Sequence, residues 1–330
     1  MKAIVQHRYG PPDVLALEEA GKPAAGEADV LIRVHAAGVS YPDGLMTRGV
    51  PYILRLLGGL RRPRQGVRGT EVAGTVAEVG AQVTDLHPSD EVFGWCGRAA
   101  GAGGGGFAEY ARCPANMVIR KPATISFEEA AAIPTNGVTA LQAVRDRARV
   151  QPGQHVLVNG AAGGVGTFAV QIAKALGAEA TGVCSTRNVD LVRSLGADAV
   201  IDYTHEDFTR GTRRFDVILD FPHYATHSLT ECRHALAPRG TLIPASNTPN
   251  RWVGGFSRVI TAHLASPFVQ HRMSAPTMAQ KQADLITLAG LIQSGKVTPV
   301  IDRTYPLAEV PEAIRYFEQG RTRGKIIITV

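Results

Sequence analysis

A chain of 330 residues in which 45% of side chains are hydrophobic and 19% charged can bury a sizeable core, and its length suits two compact units better than one. The formal charge of +6 comes from dispersed basic residues, with a cluster only at Arg61-Arg62-Pro63-Arg64, so no basic stripe interleaved with aromatics speaks for nucleic acid. No apolar run approaches the ~20 residues that cross a bilayer, which excludes a spanning helix.

Short apolar or alternating segments at Met1–His7, Asp29–Ala36, Val72–Val79 and Glu91–Trp95, punctuated by Gly, Pro and Asp, predict a β-barrel-like unit. Between them Tyr41–Arg48 reads as a short helix. Pro51–Leu57 reads as an apolar helix ahead of the basic loop, either a lid or core packing, and Gly101–Gly106 as a hinge or close-packing loop. From Ser126 the pattern becomes an alternation of helix and strand. Helices are expected at Phe127–Ile133, Gly137–Arg145, Val189–Leu195 and His227–Leu236; strands at Gln154–Asn159, Ala178–Cys184, Ala199–Tyr203, Phe215–Asp220 and Gly240–Ala245. Thr248–Ala275 is irregular in pattern and Met278–Ser294 reads as an amphipathic helix. Val300–Tyr305 and Lys325–Val330 resume the strand-rich style of the first unit.

Within this alternation, Val156–Gly166 and the residues to Gly177 read as strand, tight Gly-rich turn and helix, with Phe168, Ile172 and Leu176 at helical spacing. Ala161, Gly163 and Gly166 form a GxGxxG pattern with alanine in the first place, and Gly164 and Val165 complete the turn. Small residues there let backbone amides at a helix N-terminus approach a pyrophosphate. The strands on either side supply the βαβ context that a lone Gly-rich turn lacks. About 20 residues further on, where an NAD enzyme keeps an acid for the ribose, stands Cys184. Ser185 and Arg187 follow it and can bind a 2′-phosphate; a plain surface role is the other reading of Arg187. His223 and His227, four apart, have metal spacing but no third ligand, so a metal site is not predicted. Cys96, Cys113, Cys184 and Cys232 stand too far apart for a metal or disulfide framework and are expected to be reduced. With Met1–Val5 reading as a strand rather than a signal peptide, the chain is expected to be cytoplasmic.

Several segments resemble one known family: Ala36-Ala37-Gly38-Val39-Ser40 with Asp43, Gly69–Gly74, Pro88–Val92, Gly106–Tyr110, Asn159–Gly166, Leu195–Asp198 and Gly295–Val297. Over essentially the whole chain they are similar to the medium-chain dehydrogenase/reductase superfamily, in its zinc-independent quinone oxidoreductase branch, the relatives of zeta-crystallin. The resemblance implies an α/β fold, with a GroES-like β-barrel catalytic domain over residues 1–124 and 296–330. The remainder, 125–295, is implied to be a Rossmann domain with a doubly wound parallel sheet, nicotinamide and substrate lying between the two domains. It further implies a homodimer, no metal, and Tyr203 and Arg321 as added contacts to the cofactor NADPH. Positions that hold zinc in the family's alcohol dehydrogenases correspond to Ser40, Thr70 and roughly Asn136, none of which suits zinc's usual nitrogen and sulfur set.

The implied reaction is hydride transfer from NADPH to a quinone or to the β-carbon of an α,β-unsaturated carbonyl, with no nucleic-acid or membrane partner. Ser40, Tyr41 and Asn136 are the catalytic candidates, since conjugation spreads the developing charge and modest donors can replace a metal. Tyr41 reads equally as packing beside Pro42, and Asn136 as the cap of a helix beginning at Gly137. The family commonly follows the strand-ending Asp with a different sequence from Phe221-Pro222-His223-Tyr224, and has Gly where Arg239 stands. The first of these departures, at 221–224, supports an alternative, a redox-neutral or non-catalytic NADPH-binding protein.

Overall fold

The computed structural model of the protein describes residues 1–64, 66–97, 105–223, 225–245, 252, 261, 270–274 and 278–330. Gly101–Gly104, Tyr224 and most of Thr248–Ala275 therefore lie outside the described residues. The chain divides into one unit of Met1–Thr135, Ala279–Gln293 and Pro299–Val330, and another of Asn136–Met278 and Ser294–Thr298. These bounds differ from the expected 124/125 and 295/296. The helix Phe127–Ala131 packs on the strands Asp29–Val39 and Glu71–Val79. The helix Gln282–Gln293 is tied to the same unit by Gln282 Nε2, which donates to the Val118 carbonyl at 2.8 Å.

In the first unit a seven-stranded sheet runs Ile301–Pro306, Lys325–Thr329, Asp29–Val39, Glu71–Val79, Glu91–Trp95, Val118–Arg120, with Tyr110–Pro114 pairing to Asp29–Val39 beside this path. Pairing is antiparallel except between Ile301–Pro306 and Lys325–Thr329. Lys2–Gln6 and Leu15–Glu19 form a separate antiparallel pair. Ile4, Val30, Ile32, Val72, Phe107 and Ile326 meet in the core of the first unit. Leu15–Glu19, Tyr110–Pro114, Val118–Arg120 and the helix Val310–Glu318 were not predicted. All four are short, and only the helix, with Val310, Ala313 and Ile314 buried, carries a periodic apolar face.

The second unit holds a six-stranded parallel sheet in the order Ala199–Asp202, Glu179–Cys184, His155–Asn159, Phe215–Asp220, Leu236–Pro244, Arg272–Met273. Numbered along the chain this is 3-2-1-4-5-6, so the strand order reverses between His155–Asn159 and Phe215–Asp220. Val156, Leu157 and Val158 are completely buried, as a parallel strand covered on both faces requires.

Three expectations are corrected here. The second helix runs Pro134–Leu141 and continues as the wider turns Gln142–Ala148, so Asn136 lies inside it and caps nothing. The expected helix His227–Leu236 is only Leu229–His234, because Ser228 caps it and Glu231 Oε2 accepts the Ser228 N–H at 2.8 Å; His223 and His227 share no helix. The following strand starts at Leu236 rather than Gly240, and Arg239 within it has φ 64°, a conformation that glycine adopts without strain.

Candidate dinucleotide site

The switch point of the parallel sheet is where an open α/β fold binds ligands, and the Gly-rich turn leaves the sheet there. Asn159 and Asp220 end adjacent strands in register, and Asn159 Nδ2 donates to Asp220 Oδ1 at 2.8 Å in a buried bridge. Both were passed over in the sequence, although each is a polar residue closing an apolar strand. The chain then turns, with the Gly160 and Ala161 amides donating to the Val183 carbonyl at 3.2 and 3.0 Å. Gly163 is the N-cap of the helix Gly164–Ala175.

The tightness of this turn explains its composition. A Cβ on Gly166 would lie 2.1 Å from the Gly160 carbonyl oxygen, so any side chain forces the turn open. Ala161 is tolerated at the first motif position because Gly182 on the next strand has no side chain; a Cβ there would stand 3.0 Å from that of Ala161. Gly163, Gly164 and Val165 are partly exposed, and the first-turn amides Gly164, Val165 and Gly166 have no acceptor within the helix. A cradle of backbone donors at the positive end of a twelve-residue helix fits a pyrophosphate.

Ser185 and Arg187 lie in the turn that follows Glu179–Cys184, and Tyr203 follows the neighbouring strand, its N–H donating to the Cys184 carbonyl at 3.0 Å. The structure thus brings these three to one corner of the sheet. Sequence reading missed a fourth group there: Asp202 stands opposite Cys184 in the parallel register. The Thr186 hydroxyl and the Thr204 N–H and hydroxyl hold the Asp202 carboxyl below the usual carboxylate range. Arg321 belongs to the first unit, between the helix Val310–Glu318 and the strand Lys325–Thr329. Phe221 donates its N–H to the Asn159 carbonyl at 3.0 Å and Pro222 lies against Gly160, so the unusual segment after Asp220 runs beside the Gly-rich turn.

The first unit carries Ser40 and Tyr41, and Asn136 opens the second. Ser40 caps the helix Tyr41–Arg48, and both its N–H and its hydroxyl donate to Asp43 Oδ2 at 2.7 Å. Ser40 and Asp43 are only 1% and 6% exposed. Burial pushes the Asp43 carboxyl up to about 6, against the lowering effect of the Ser40 hydrogen bonds, with Glu71 raising it and Lys325 lowering it further. While Asp43 is ionised, the Ser40 proton is committed to it. Ser40 then offers an incoming group lone pairs rather than a proton.

Behind this lies a buried ion pair whose partners stand 254 positions apart, with no local pattern to join them. Lys325 Nζ donates to Glu71 Oε2 at 2.5 Å, and Glu71 Oε1 accepts the Thr135 N–H at 2.6 Å. Thr135 Oγ1 also accepts Trp95 Nε1 at 3.3 Å, so both bonds fix the residue that precedes Asn136. Zinc does not fit this neighbourhood: Ser40 is spent on Asp43, and neither Ser40 nor Thr70 supplies a thiolate or imidazole. Among the described residues no group of three or more His, Cys, Asp or Glu is placed to hold a metal. His227 Nε2 instead approaches Asp207 Oδ1 at 3.2 Å.

Comparison with known proteins agrees with both units. Residues 26–123 match the family described as alcohol dehydrogenase GroES-like domain, and residues 195–328 the one described as zinc-binding dehydrogenase. The 2-methylene-furan-3-one reductase of Solanum lycopersicum is 33% identical over 99% of this chain and 79% of its own. The chloroplastic NADPH-dependent alkenal/one oxidoreductase of Arabidopsis thaliana is 32% identical over 99% of this chain and 79% of its own. Among solved structures, quinone oxidoreductase from Coxiella burnetii has a TM-score of 0.86 at 28% identity, covering 100% of this chain and 99% of that one. Escherichia coli quinone oxidoreductase complexed with NADPH has a TM-score of 0.80 at 25% identity, covering 100% of both chains. With a GroES-like unit, a Rossmann unit and these relatives, the chain is an NAD(P)H oxidoreductase that belongs to the zinc-independent quinone oxidoreductase-like branch of the medium-chain dehydrogenase/reductase superfamily.

Proposed function

We propose that this enzyme reduces quinones or α,β-unsaturated carbonyls with NADPH and needs no zinc. The observation that carries the reading is the Gly163–Gly166 cradle at the switch point of the parallel sheet, together with relatives named for quinone, alkenal and enone reduction. When bound, the nicotinamide supplies the hydride. The Gly164, Val165 and Gly166 amides receive the pyrophosphate, and Ser185, Arg187 and Tyr203 the 2′-phosphate, with Arg321 added by the family resemblance. Asp202 is the feature that works against a 2′-phosphate, since Thr186 and Thr204 hold its carboxyl in the charged form, and Arg187 is the group that offsets it. Charged hydrogen bonds of ~1.5–3 kcal/mol from the corner give roughly a ten- to hundredfold preference for NADPH. Titrations in which NADH binds as tightly as NADPH would instead assign Asp202 the ribose-binding role of the missing acid.

Tyr41 and Asn136 are the donors we assign to the substrate oxygen as enolate character develops, each worth ~10²–10³ in rate. Ser40, its hydroxyl already donating to Asp43, orients rather than donates to the substrate. Single-turnover reduction of an active enone by Tyr41→Phe and Asn136→Ala tests the assignment, and rates within about threefold of the parent, far short of a donor's worth, remove both from the mechanism. A stoichiometric zinc on which activity depends would overturn the metal-free reading. We assign a homodimer by the same resemblance, and size measurement in solution checks it.

The second reading, a redox-neutral or non-catalytic nucleotide-binding protein, is favoured by Phe221 and Pro222, which lie against the Gly-rich turn where the family pattern is broken. NADPH absorbance followed with a panel of quinones and enones separates the two. Tight NADPH binding with no turnover across the panel selects the second.

A further inference from the structure

The stretch between Asp43 and Glu71 contains no acidic residue, and its arginines include Arg55, Arg61, Arg62 and Arg64. Within it Ile53, Leu56 and Leu60 are 47%, 62% and 67% exposed, and Arg61, Arg62 and Arg64 are exposed beside them. Isolated exposed apolar residues are ordinary, but three of them next to a single-sign charge cluster are not. The segment is also firmly anchored. The Arg55 guanidinium lies over the rings of Tyr9 and Tyr52, 4.6 and 4.9 Å from their centroids, and its Nε donates to the Gly49 carbonyl at 2.8 Å. Tyr9 Oη donates to the Gly59 carbonyl at 2.7 Å, and the Arg64 N–H to that of Gly58 at 2.8 Å. These bonds pin the turn at Gly58 and Gly59 and hold Arg55 against Tyr9 and Tyr52, leaving isoleucine, leucine and the later arginines displayed outward.

We propose that Tyr52–Arg64 docks on the surface of an anionic phospholipid membrane, with Ile53, Leu56 and Leu60 entering the acyl boundary and Arg61, Arg62 and Arg64 meeting the headgroups. Charge complementarity selects this occupant. Three exposed apolar side chains followed by three exposed arginines, in a stretch of sequence without acids, match a fluid negative interface, where each basic residue adds attraction and no precise partner geometry is needed. Three apolar side chains fall short of the ~800 Å² per partner of a stable protein interface. The exclusion of a spanning helix does not bear on docking at the surface, which needs none.

The test is cosedimentation of the whole chain with vesicles of phosphatidylcholine alone or mixed with phosphatidylglycerol. Binding is expected only to the mixed vesicles, weakening as salt is raised. Arg61→Glu with Arg62→Glu should lower it by more than about twentyfold, each arginine near such a surface being worth about a factor of five. Leu56→Ser with Leu60→Ser should lower it as well, with the thermal midpoint of both variants unchanged. Several outcomes overturn the proposal: no binding to the mixed vesicles, equal binding to both kinds, or serine variants that bind as the parent does. So do serine variants that shift the chain's size in gel filtration, which makes the ridge a contact between copies. A raised KM for an apolar quinone in vesicle-free solution, with vesicle binding intact, makes it a substrate surface instead.

Discussion

Replacing Asp43 by asparagine removes a charge from a site that is 6% exposed while keeping an oxygen that accepts the Ser40 N–H and hydroxyl. Burial raises this carboxyl from 3.8 to about 6 in the folded chain. Between those two values the folded state holds a proton that the unfolded state has released, so stability falls as pH rises through the window. The contribution is fully present below 3.8 and lost above about 6. At roughly 1.36 kcal/mol per pH unit the span is worth about 3 kcal/mol. Asparagine stays neutral, so on the alkaline side the variant should be the more stable, by about 1–2 kcal/mol once an amide NH₂ with no evident acceptor is discounted. Urea unfolding followed through Trp95, fully buried in the first unit, reads the effect, and subtracting the two pH profiles cancels every carboxylate they share. Parallel profiles across the window, or a variant less stable than the parent above it, would refute the reasoning.

The Glu71–Lys325 pair should behave as a coupled unit. Lys325→Met strands a carboxylate that is 0% exposed and should cost about 3–5 kcal/mol, whereas adding Glu71→Gln should recover most of the loss; additivity of the two within about 0.5 kcal/mol would dissolve the coupling. Gly166→Val should abolish tight dinucleotide binding while leaving the vesicle assay untouched, because its Cβ would lie 2.1 Å from the Gly160 oxygen; unchanged affinity by calorimetry removes the turn from the site. Arg239→Gly should leave stability unchanged or raise it by up to about 1 kcal/mol by relieving the φ of 64°, as denaturation midpoints will show.

Local pattern by itself determined a good deal of this protein. Tyr41–Arg48, Glu91–Trp95 and Phe215–Asp220 are legible to the residue, since caps, turn residues and apolar runs act within a few positions of one another. The Gly-rich turn is legible for the same reason, and from it the parallel sheet and the nucleotide chemistry. Short strands such as Val118–Arg120 were not, because three residues carry no period. What the tertiary structure alone decided are the pairings across long separations. Glu71 meets Lys325 across 254 positions, and Asn159 meets Asp220 across 61. Asp202 is brought beside Cys184 by strand register. Ser40 and Asp43 were readable as neighbours, but the burial that raises the Asp43 carboxyl against the Ser40 hydrogen bonds comes from the core packed around them, a property of surrounding density that no local spacing encodes.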